Sequence, residues 1–107
     1  MENKPRGLCL IINNENFYEN GQEIPNLKRI GTDMDASRLQ RLFDKLNFHV
    51  QMFIDLKEIE MRQIINKFAN ECDRNANLYD AICLIVLTHG TDGYIHGVDL
   101  ENKLNVN

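Results

Sequence analysis

The feature that most constrains this chain is a run of apolar residues without any polar interruption. The stretch GLCLIIN, residues 7–13, places five apolar residues in a row after a glycine. A strand with one face in water alternates apolar and polar residues, whereas a strand covered on both faces is apolar throughout. A second such run, AICLIVLT, occupies residues 81–88. The two runs predict a sheet that has helices on both faces.

An amphipathic helix is predicted after the first run. Thr32 has the residue type of a helix N-cap, and Asp33 and Asp35 follow it in the first turn, where the helix dipole favours acidic side chains. Asn47 is a suitable residue to end the helix. The apolar residues between these ends recur at helical spacing and form one stripe: Ala36, Leu39, Leu42, Phe43 and Leu46.

A second strand and a second helix are predicted next. The segment FHVQMFI, residues 48–54, alternates between two sets of side chains, which is typical of a strand with one face better covered and therefore nearer a sheet edge. Asp55 and Glu58 then have the spacing of a capping box. The apolar positions of the following helix are Leu56, Ile59, Ile64, Ile65, Phe68 and Cys72.

This alternation predicts an α/β fold with a doubly wound, mainly parallel sheet, comprising three main strands and two helices. Each crossover is expected to be right-handed. In the strand order 2-1-3, a crevice opens between strands 1 and 3 at their carboxyl ends, where ligands bind in such folds. Arg29 lies in the loop after strand 1, and Thr88, His89 and Gly90 follow strand 3. We therefore expect Arg29 and His89 to face one crevice.

The connection between the first strand and the first helix is unusually long. Residues 14–31 make 18 positions, against ~2–6 in a typical strand-to-helix loop. Loops of this length in compact domains are usually functional or disordered, so this one is a candidate functional segment. The segment that ends the first strand and begins this connection, INNENFYENG at residues 12–21, lacks the glycines of a phosphate-binding loop, so dinucleotide binding is not expected.

The polar residues that could form a site also have ordinary structural explanations. The histidine after strand 3 can be a solvated loop residue, and Arg29 can be a surface arginine. Asp33 and Asp35 fit the start of a helix better than a metal or phosphoacceptor pair. His49 and His96 have no partners at metal-ligand spacing. The sequence therefore predicts no metal and no cofactor.

Composition narrows the class of protein. The net charge is −4 and the basic residues are scattered, so no nucleic-acid partner is expected. No apolar run approaches the ~20 residues of a membrane span, and the amino terminus lacks the apolar core of a signal peptide. We therefore expect a cytoplasmic location and no membrane partner. The three cysteines, Cys9, Cys72 and Cys83, match no zinc pattern and are predicted to be reduced and mostly buried.

Three segments in order resemble the caspase family of cysteine endopeptidases. They are PRGLCLIINNENF at residues 5–17, RIGTDMDASRLQRLFDKLNF at residues 29–48 and LTHGTDGYIHG at residues 87–97. Together they resemble the front half of the large catalytic subunit, from about Lys4 to about Asp99. The opening KPRGLCLIINN is most similar to initiator caspases of the death-effector type. The resemblance predicts that residues 1–107 form a partial caspase-like large-subunit domain.

The resemblance implies cleavage after aspartate, in apoptosis or related signalling, and it implies roles for four residues. His89 matches the catalytic histidine, which transfers protons and protonates the leaving amine. Gly90 matches the glycine whose backbone N–H helps to hold the oxyanion. Arg29 matches the arginine that binds the substrate aspartate with two hydrogen bonds. Leu27 is expected to contribute only its backbone carbonyl, near the histidine.

One component of the chemistry is missing from these residues. The caspase nucleophile stands in the signature Q-A-C-[RQG]-G, about 50 residues after the histidine, and none of the three cysteines lies in it. This chain alone is therefore predicted to be inactive. We favour a fragment of a caspase over a natural truncated form. Two non-catalytic alternatives stay open: a caspase-like decoy, or a module that binds acidic peptides.

The partners follow from the same resemblance. Protein substrates with aspartate at the cleavage site are expected, together with the remaining large-subunit segment and the small subunit. The complete enzyme is expected to be a dimer, and an adaptor is expected to bind through a prodomain that these residues do not include. The third strand is apolar on both faces, so it is predicted to be an interior strand that further strands would cover.

Overall fold

A computed structural model describes residues 5–91, 93–100 and 103–105. The predicted domain bounds, 1–107, extend beyond the described residues at both ends. In chain order the elements are β1 (Gly7–Asn13), β2 (Tyr18–Glu19), β3 (Gln22–Glu23), a 3₁₀ turn (Pro25–Leu27), α1 (Thr32–Lys45), β4 (Phe48–Ile54), α2 (Glu58–Arg74), β5 (Ala81–Leu87), β6 (Gly90–Thr91), β7 (Tyr94–His96) and β8 (Lys103–Asn105).

The main sheet is parallel and has the strand order β4-β1-β5, which is the predicted order 2-1-3. The strand β1 lies in the middle, and every residue from Gly7 to Asn13 is buried. In register, Cys9 stands opposite Val50 on one side and Cys83 on the other. The strand β4 is at an edge, as its alternating pattern predicts. These findings confirm the α/β fold class.

The two helices cover opposite faces of the sheet. One face of β1 packs against α2 in the main hydrophobic core, which comprises Leu8, Leu10, Ile12, Met61, Phe68 and Cys72. On the other face, Phe43 of α1 contacts Phe48 of β4, with ring centroids 5.1 Å apart. The chain crosses from β1 to β4 and then back past β1 to β5, so right-handed crossovers require helices on opposite faces.

The ends of α1 correct one prediction and confirm another. Gly31 is the N-cap and has a left-handed backbone, with φ 89°, whereas Thr32 is the first helical residue. The predicted N-cap role of Thr32 is therefore wrong. The Thr32 hydroxyl instead donates to the side chain of Asn13 at the end of β1. The helix ends before Asn47, whose φ of 65° lies in the left-handed region that asparagine tolerates.

The predicted capping box at the start of α2 is also wrong. Lys57 is the N-cap, and its backbone N–H donates to the carboxylate of Glu60 at 2.9 Å. The Asp55 carboxylate instead accepts hydrogen bonds from the backbone N–H groups of Glu15 and Asn16, at 2.8 and 3.2 Å. Asp55 therefore fixes the loop that follows β1 and does not cap the helix.

The strand β5 is less buried than its sequence predicts for an interior strand. Within the described residues it pairs with β1 alone, so its outer edge is open. Ile82 is 53% exposed and Leu84 is 46% exposed. Val86, farther along the same face, packs against the core under α2. The exposed part of β5 is its amino-terminal half, on the α2 side of the sheet.

Two small sheets were not anticipated. A hairpin of β2 and β3 forms within the long polar loop, where Asn20 and Gly21 have positive φ values of 51° and 80°. This geometry is typical of a tight hairpin turn. The strands β6, β7 and β8 form an antiparallel sheet after the histidine.

In the described part of the chain, no helix is long and apolar enough to cross a membrane.

Candidate active site

The strand β1 ends in two buried asparagines that fix the start of α1 and α2. Asn13 accepts a hydrogen bond from the Thr32 hydroxyl at 2.8 Å and donates one to the Asp33 carboxylate at 3.1 Å. Asn14 accepts one from the backbone N–H of Leu56, just before α2, at 2.9 Å. A buried amide needs such partners, because an unpaired one would be costly. These asparagines position the elements around the crevice.

Asn14 also ties the end of β1 to the segment after β5. Its amide nitrogen donates to the Thr88 hydroxyl at 3.3 Å and to the carbonyl of His96 at 3.4 Å. The Thr88 hydroxyl donates to the same carbonyl at 2.8 Å. Sequence reasoning missed both asparagines. The signal that could have found them is the presence of two consecutive amides where a strand that is buried on both faces ends.

Arg29 is half-buried and is anchored at the same end of β1. Its backbone N–H donates to the carbonyl of Glu15 at 2.9 Å. Its Nη1 donates to the Thr32 hydroxyl at 2.7 Å and to the carbonyl of Asn14 at 3.3 Å. Both of these guanidinium bonds use one nitrogen. The remaining N–H groups of the fork are chemically suited to a carboxylate.

His89 follows β5 and contacts the long loop at two points. Its Nε2 lies 2.7 Å from the carbonyl oxygen of Leu27. A carbonyl only accepts, so this contact assigns the hydrogen to Nε2 and makes Nδ1 the acceptor of the neutral ring. The ring of Phe17 lies against the imidazole, with centroids 4.6 Å apart and planes inclined at 50°. The expected contact between the Leu27 carbonyl and the histidine is present.

Gly90 begins β6 directly after the histidine. An ideal Cβ here would lie 2.9 Å from the carbonyl oxygen of Tyr94, so backbone packing leaves no room for a side chain. The His96 N–H donates to the His89 carbonyl at 2.9 Å, which makes these two a hydrogen-bonded pair. Such pairs alternate in an antiparallel ladder, so the Gly90 N–H, opposite Ile95, points away from β7. That orientation is what an oxyanion donor requires.

The contacts bring the predicted site residues to one end of the sheet. Leu27, which contacts His89, is only two residues before Arg29 in the same loop. Asn14 contacts Arg29 through its carbonyl and Thr88, the neighbour of His89, through its amide. The guanidinium and the imidazole therefore both lie at the carboxyl ends of β1 and β5, where the fold was expected to place a crevice.

Comparison with known proteins identifies the fold family. A family profile described as the caspase domain matches residues 6–104. The chain belongs to the caspase family. It is 35% identical to caspase-8 of Mus musculus in an alignment of 103 positions that covers 92% of this chain and 21% of that protein. It is 37% identical to caspase-1 of Drosophila melanogaster in an alignment of 106 positions that covers 98% of this chain and 30% of that protein.

A third relative of this caspase-family chain is caspase-3 of Bos taurus, which is 36% identical in an alignment of 100 positions that covers 92% of this chain and 34% of that protein. The chain therefore spans between a fifth and about a third of the length of these relatives. The identity to all three is similar. The caspase assignment thus rests on nearly the whole chain, whereas the relatives extend well beyond the region of similarity.

All three cysteines of this caspase-family chain belong to the packed sheet or the hydrophobic core. Cys9 and Cys83 pair in register within the sheet, and Cys72 packs in the core under α2. Burial, together with the thiol of Cys83, raises the pKa of Cys9 to about 12. Burial also raises the pKa of Cys72. Thiols of raised pKa are poor nucleophiles at neutral pH. In the described ranges, no group of three or more histidine, cysteine or acidic side chains is arranged to hold a metal ion.

Proposed function

We propose that this chain is part of a cysteine endopeptidase that cleaves proteins after aspartate and acts in apoptosis or related signalling. The observation that carries the proposal is the contact of 2.7 Å between Nε2 of His89 and the carbonyl of Leu27. It holds the imidazole by one nitrogen and leaves Nδ1 as the atom that can take and return a proton. A histidine held in this way beside an N–H donor and an arginine suits acyl transfer.

In the proposed mechanism, Nδ1 of His89 takes the proton of a cysteine thiol that the remaining large-subunit segment supplies. The resulting thiolate attacks the peptide carbonyl, and the carbonyl oxygen gains the negative charge. The outward N–H of Gly90 donates a hydrogen bond to this oxyanion. The imidazolium then gives its proton to the leaving amine as the peptide bond breaks. Water later hydrolyses the thioester and releases the thiolate.

Arg29 is proposed to bind the substrate aspartate. Anchoring through Nη1 holds the planar guanidinium at the end of β1 and leaves its other N–H groups for a carboxylate. A site built around a polar group can reject ligands without the matching partner by ~10⁴–10⁵, because the group is then left unpaired. Aspartate has the matching charge, and glutamate is one methylene longer than the fitted side chain.

The 107 residues are proposed to be inactive when they stand alone, because their three cysteines are not in the nucleophile signature and two of them have raised pKa values. The complete enzyme is proposed to combine this partial domain with the remaining large-subunit segment and the small subunit, and to act as a cytoplasmic dimer. Binding of an adaptor is proposed for a prodomain outside these residues. Cleavage of protein substrates then needs the whole assembly.

The proposal is tested in the full-length form, whose sequence is obtained by reading the transcript past Asn107. Changing His89 to alanine should lower kcat by at least ~10²–10⁴, which is the usual contribution of a general acid–base group. The control is His49→Ala, because His49 is exposed on β4 and should leave kcat unchanged. Retained turnover after the change at position 89 would overturn the proposal.

A second measurement tests the aspartate pocket. Arg29→Ala should abolish the preference for aspartate over asparagine at the cleavage site, while Arg38→Ala, an exposed position on α1, should leave it intact. A full-length form that binds caspases or acidic peptides but never cleaves them would favour the decoy or binding-module alternative. An unchanged preference after Arg29→Ala would remove Arg29 from the pocket.

A further inference from the structure

We infer that Phe17 is a positioning residue for His89: its ring fixes the plane of the imidazole so that Nδ1 keeps one direction. The inference rests on the proposed function and deepens it, because it gives the long loop after β1 a role at the candidate active site. It starts from one contact, the 4.6 Å separation between the Phe17 and His89 rings. Aromatic pairs at this distance prefer inclined or offset geometries over flat stacking, and the 50° angle fits that preference.

Phe17 can act as a fixed reference because its backbone is held from both sides. Its side chain is fully buried. Its carbonyl accepts a hydrogen bond from the N–H of Ile24 at 2.8 Å, which closes the base of the β2–β3 hairpin. The next N–H, that of Tyr18, donates to the carbonyl of Val98 at 2.7 Å. The backbone that carries the ring therefore cannot shift without breaking two separate hydrogen bonds.

The hydrogen bond to Leu27 is insufficient to orient the imidazole. A single contact at Nε2 fixes the position of one ring atom, and the ring can still turn about that point. The terminal torsion of histidine has a broad energy profile, so the ring has little preference of its own. Phe17 supplies the second constraint, since it limits the inclination of the ring. Two constraints on one planar group determine where Nδ1 points.

One loop supplies both constraints. Phe17 lies at its start and Leu27 in the 3₁₀ turn near its end, and the hydrogen bond from Ile24 to Phe17 brings the two parts together. The hairpin between them is exposed, with its strands β2 and β3 both on the surface. The loop therefore contacts the imidazole at two points, Phe17 and Leu27, and the hydrogen bond between Ile24 and Phe17 joins the two parts of the loop that carry them.

The test uses imidazole ¹⁵N NMR on the 107-residue chain, at a pH where neutral imidazole predominates. The chain should hold His89 in the Nε2–H tautomer. Phe17→Leu keeps an apolar side chain but removes the ring, so the imidazole can tilt and its Nε2–H loses alignment with the Leu27 carbonyl. The minor Nδ1–H population should then rise about 2- to 10-fold, which is the range that aromatic pair energies allow. Phe17→Tyr keeps the ring, and it should keep the tautomer even though a buried hydroxyl lowers the thermal midpoint.

The matched control is Phe68→Leu, which removes a buried ring from the core under α2, away from the histidine. It should lower the thermal midpoint and leave the His89 tautomer unchanged. An unchanged tautomer in folded Phe17→Leu, or the same tautomer change in Phe68→Leu, would overturn the inference. The measurement needs no proteolysis, so a full-length form without protease activity would contradict the proposed function and leave this result standing.

Discussion

Two neighbouring strands, β1 and β5, have nearly the same apolar pattern but differ in how completely the rest of the molecule covers them. Every residue of β1 is buried, with a strand on each side and a helix on each face. In β5, Ile82 and Leu84 are about half-exposed, and within the described residues only β1 pairs with it. The two strands share one parallel register along their whole length. Their difference therefore comes from what lies beside each strand and is not due to their own sequences.

The comparison teaches that an unbroken apolar run records the environment that a strand is suited to. The residues described here supply that environment for β1 but only partly for β5. An open apolar edge is a site of association. We propose that the missing cover of β5 comes from the remaining caspase segment.

The largest expected difference between the two strands is in the alkylation rates of their register-paired thiols, Cys9 and Cys83. A pKa of about 12 leaves Cys9 with about a thousandfold less thiolate than its ordinary value of 9.0 allows. Cys83 is only half-buried. Iodoacetamide should therefore modify Cys83 well before Cys9, as followed by mass spectrometry of peptides. In denaturant all cysteines should react alike, and equal rates in the native chain would contradict the complete burial of β1.

Matched truncations should separate the strands by free energy of unfolding. Leu10→Ala in β1 removes a fully buried side chain and should cost ~2–5 kcal/mol. Leu84→Ala in β5 removes a side chain that is already about half in water, so it should cost roughly 1 kcal/mol. Chemical denaturation of both variants measures the difference. Equal costs would mean that the edge of β5 is covered in solution, for example by a second copy.

The open edge should also govern self-association. The unmodified chain is expected to be marginally soluble or to bind a partner, and Ile82→Lys should reduce association because a charge blunts an exposed edge. Leu78→Lys is the control, since Leu78 is equally exposed but precedes β5. Analytical ultracentrifugation measures the association. A monomeric unmodified chain with a sharp thermal transition would contradict the prediction.

The smallest expected effect concerns the carboxyl end of β1. Partial burial and the carboxylate of Asp33 raise the pKa of Glu15 above 4.5, with Asp55 adding to the effect and Lys28 opposing it. The folded chain thus binds this proton more tightly than the unfolded chain does, so the stabilisation is present at low pH and is lost as pH rises through the raised pKa. Glu15→Gln should raise the thermal midpoint slightly at neutral pH and leave it unchanged below pH 4.5.

The control for this titration is Glu19→Gln, because Glu19 is exposed on β2. Its thermal midpoint should follow that of the unmodified chain at each pH. A Glu15→Gln variant less stable than the unmodified chain at neutral pH would show that the Glu15 carboxylate has a favourable partner. It would also show that the repulsion from Asp33 is the weaker interaction.

Much of the fold was predictable because the burial of a strand or helix determines the spacing of its apolar residues in the sequence. The three main strands, the two helices and the strand order all follow from apolar periodicity and from the geometry of parallel sheets. The wrong details involve side chains whose partners are distant in sequence. Thr32 binds Asn13, 19 residues away, and Asp55 binds the backbone of Glu15, 40 residues away. Local capping rules cannot detect such partners.

The location of the candidate site was predictable in part, because it follows from the predicted order of the strands. The positions of Arg29 and His89 after two adjacent strands follow from topology. The supporting contacts of Asn14 and Phe17 depend on how residues 14–31 fold, and short strands of two residues carry no periodicity. The contact between Phe17 and His89 joins positions 72 residues apart. It could not be inferred from either residue alone.

The packing at Gly90 has a consequence for how variation at this position is interpreted. The carbonyl of Tyr94 occupies the space that any larger residue would need. A selection that demands only a folded hairpin would thus recover glycine as strictly as a selection for peptide-bond cleavage. Intolerance to substitution at this position is therefore no measure of chemical importance, and an engineered amide-to-ester backbone change, which keeps the glycine shape and deletes its hydrogen, would separate the two demands.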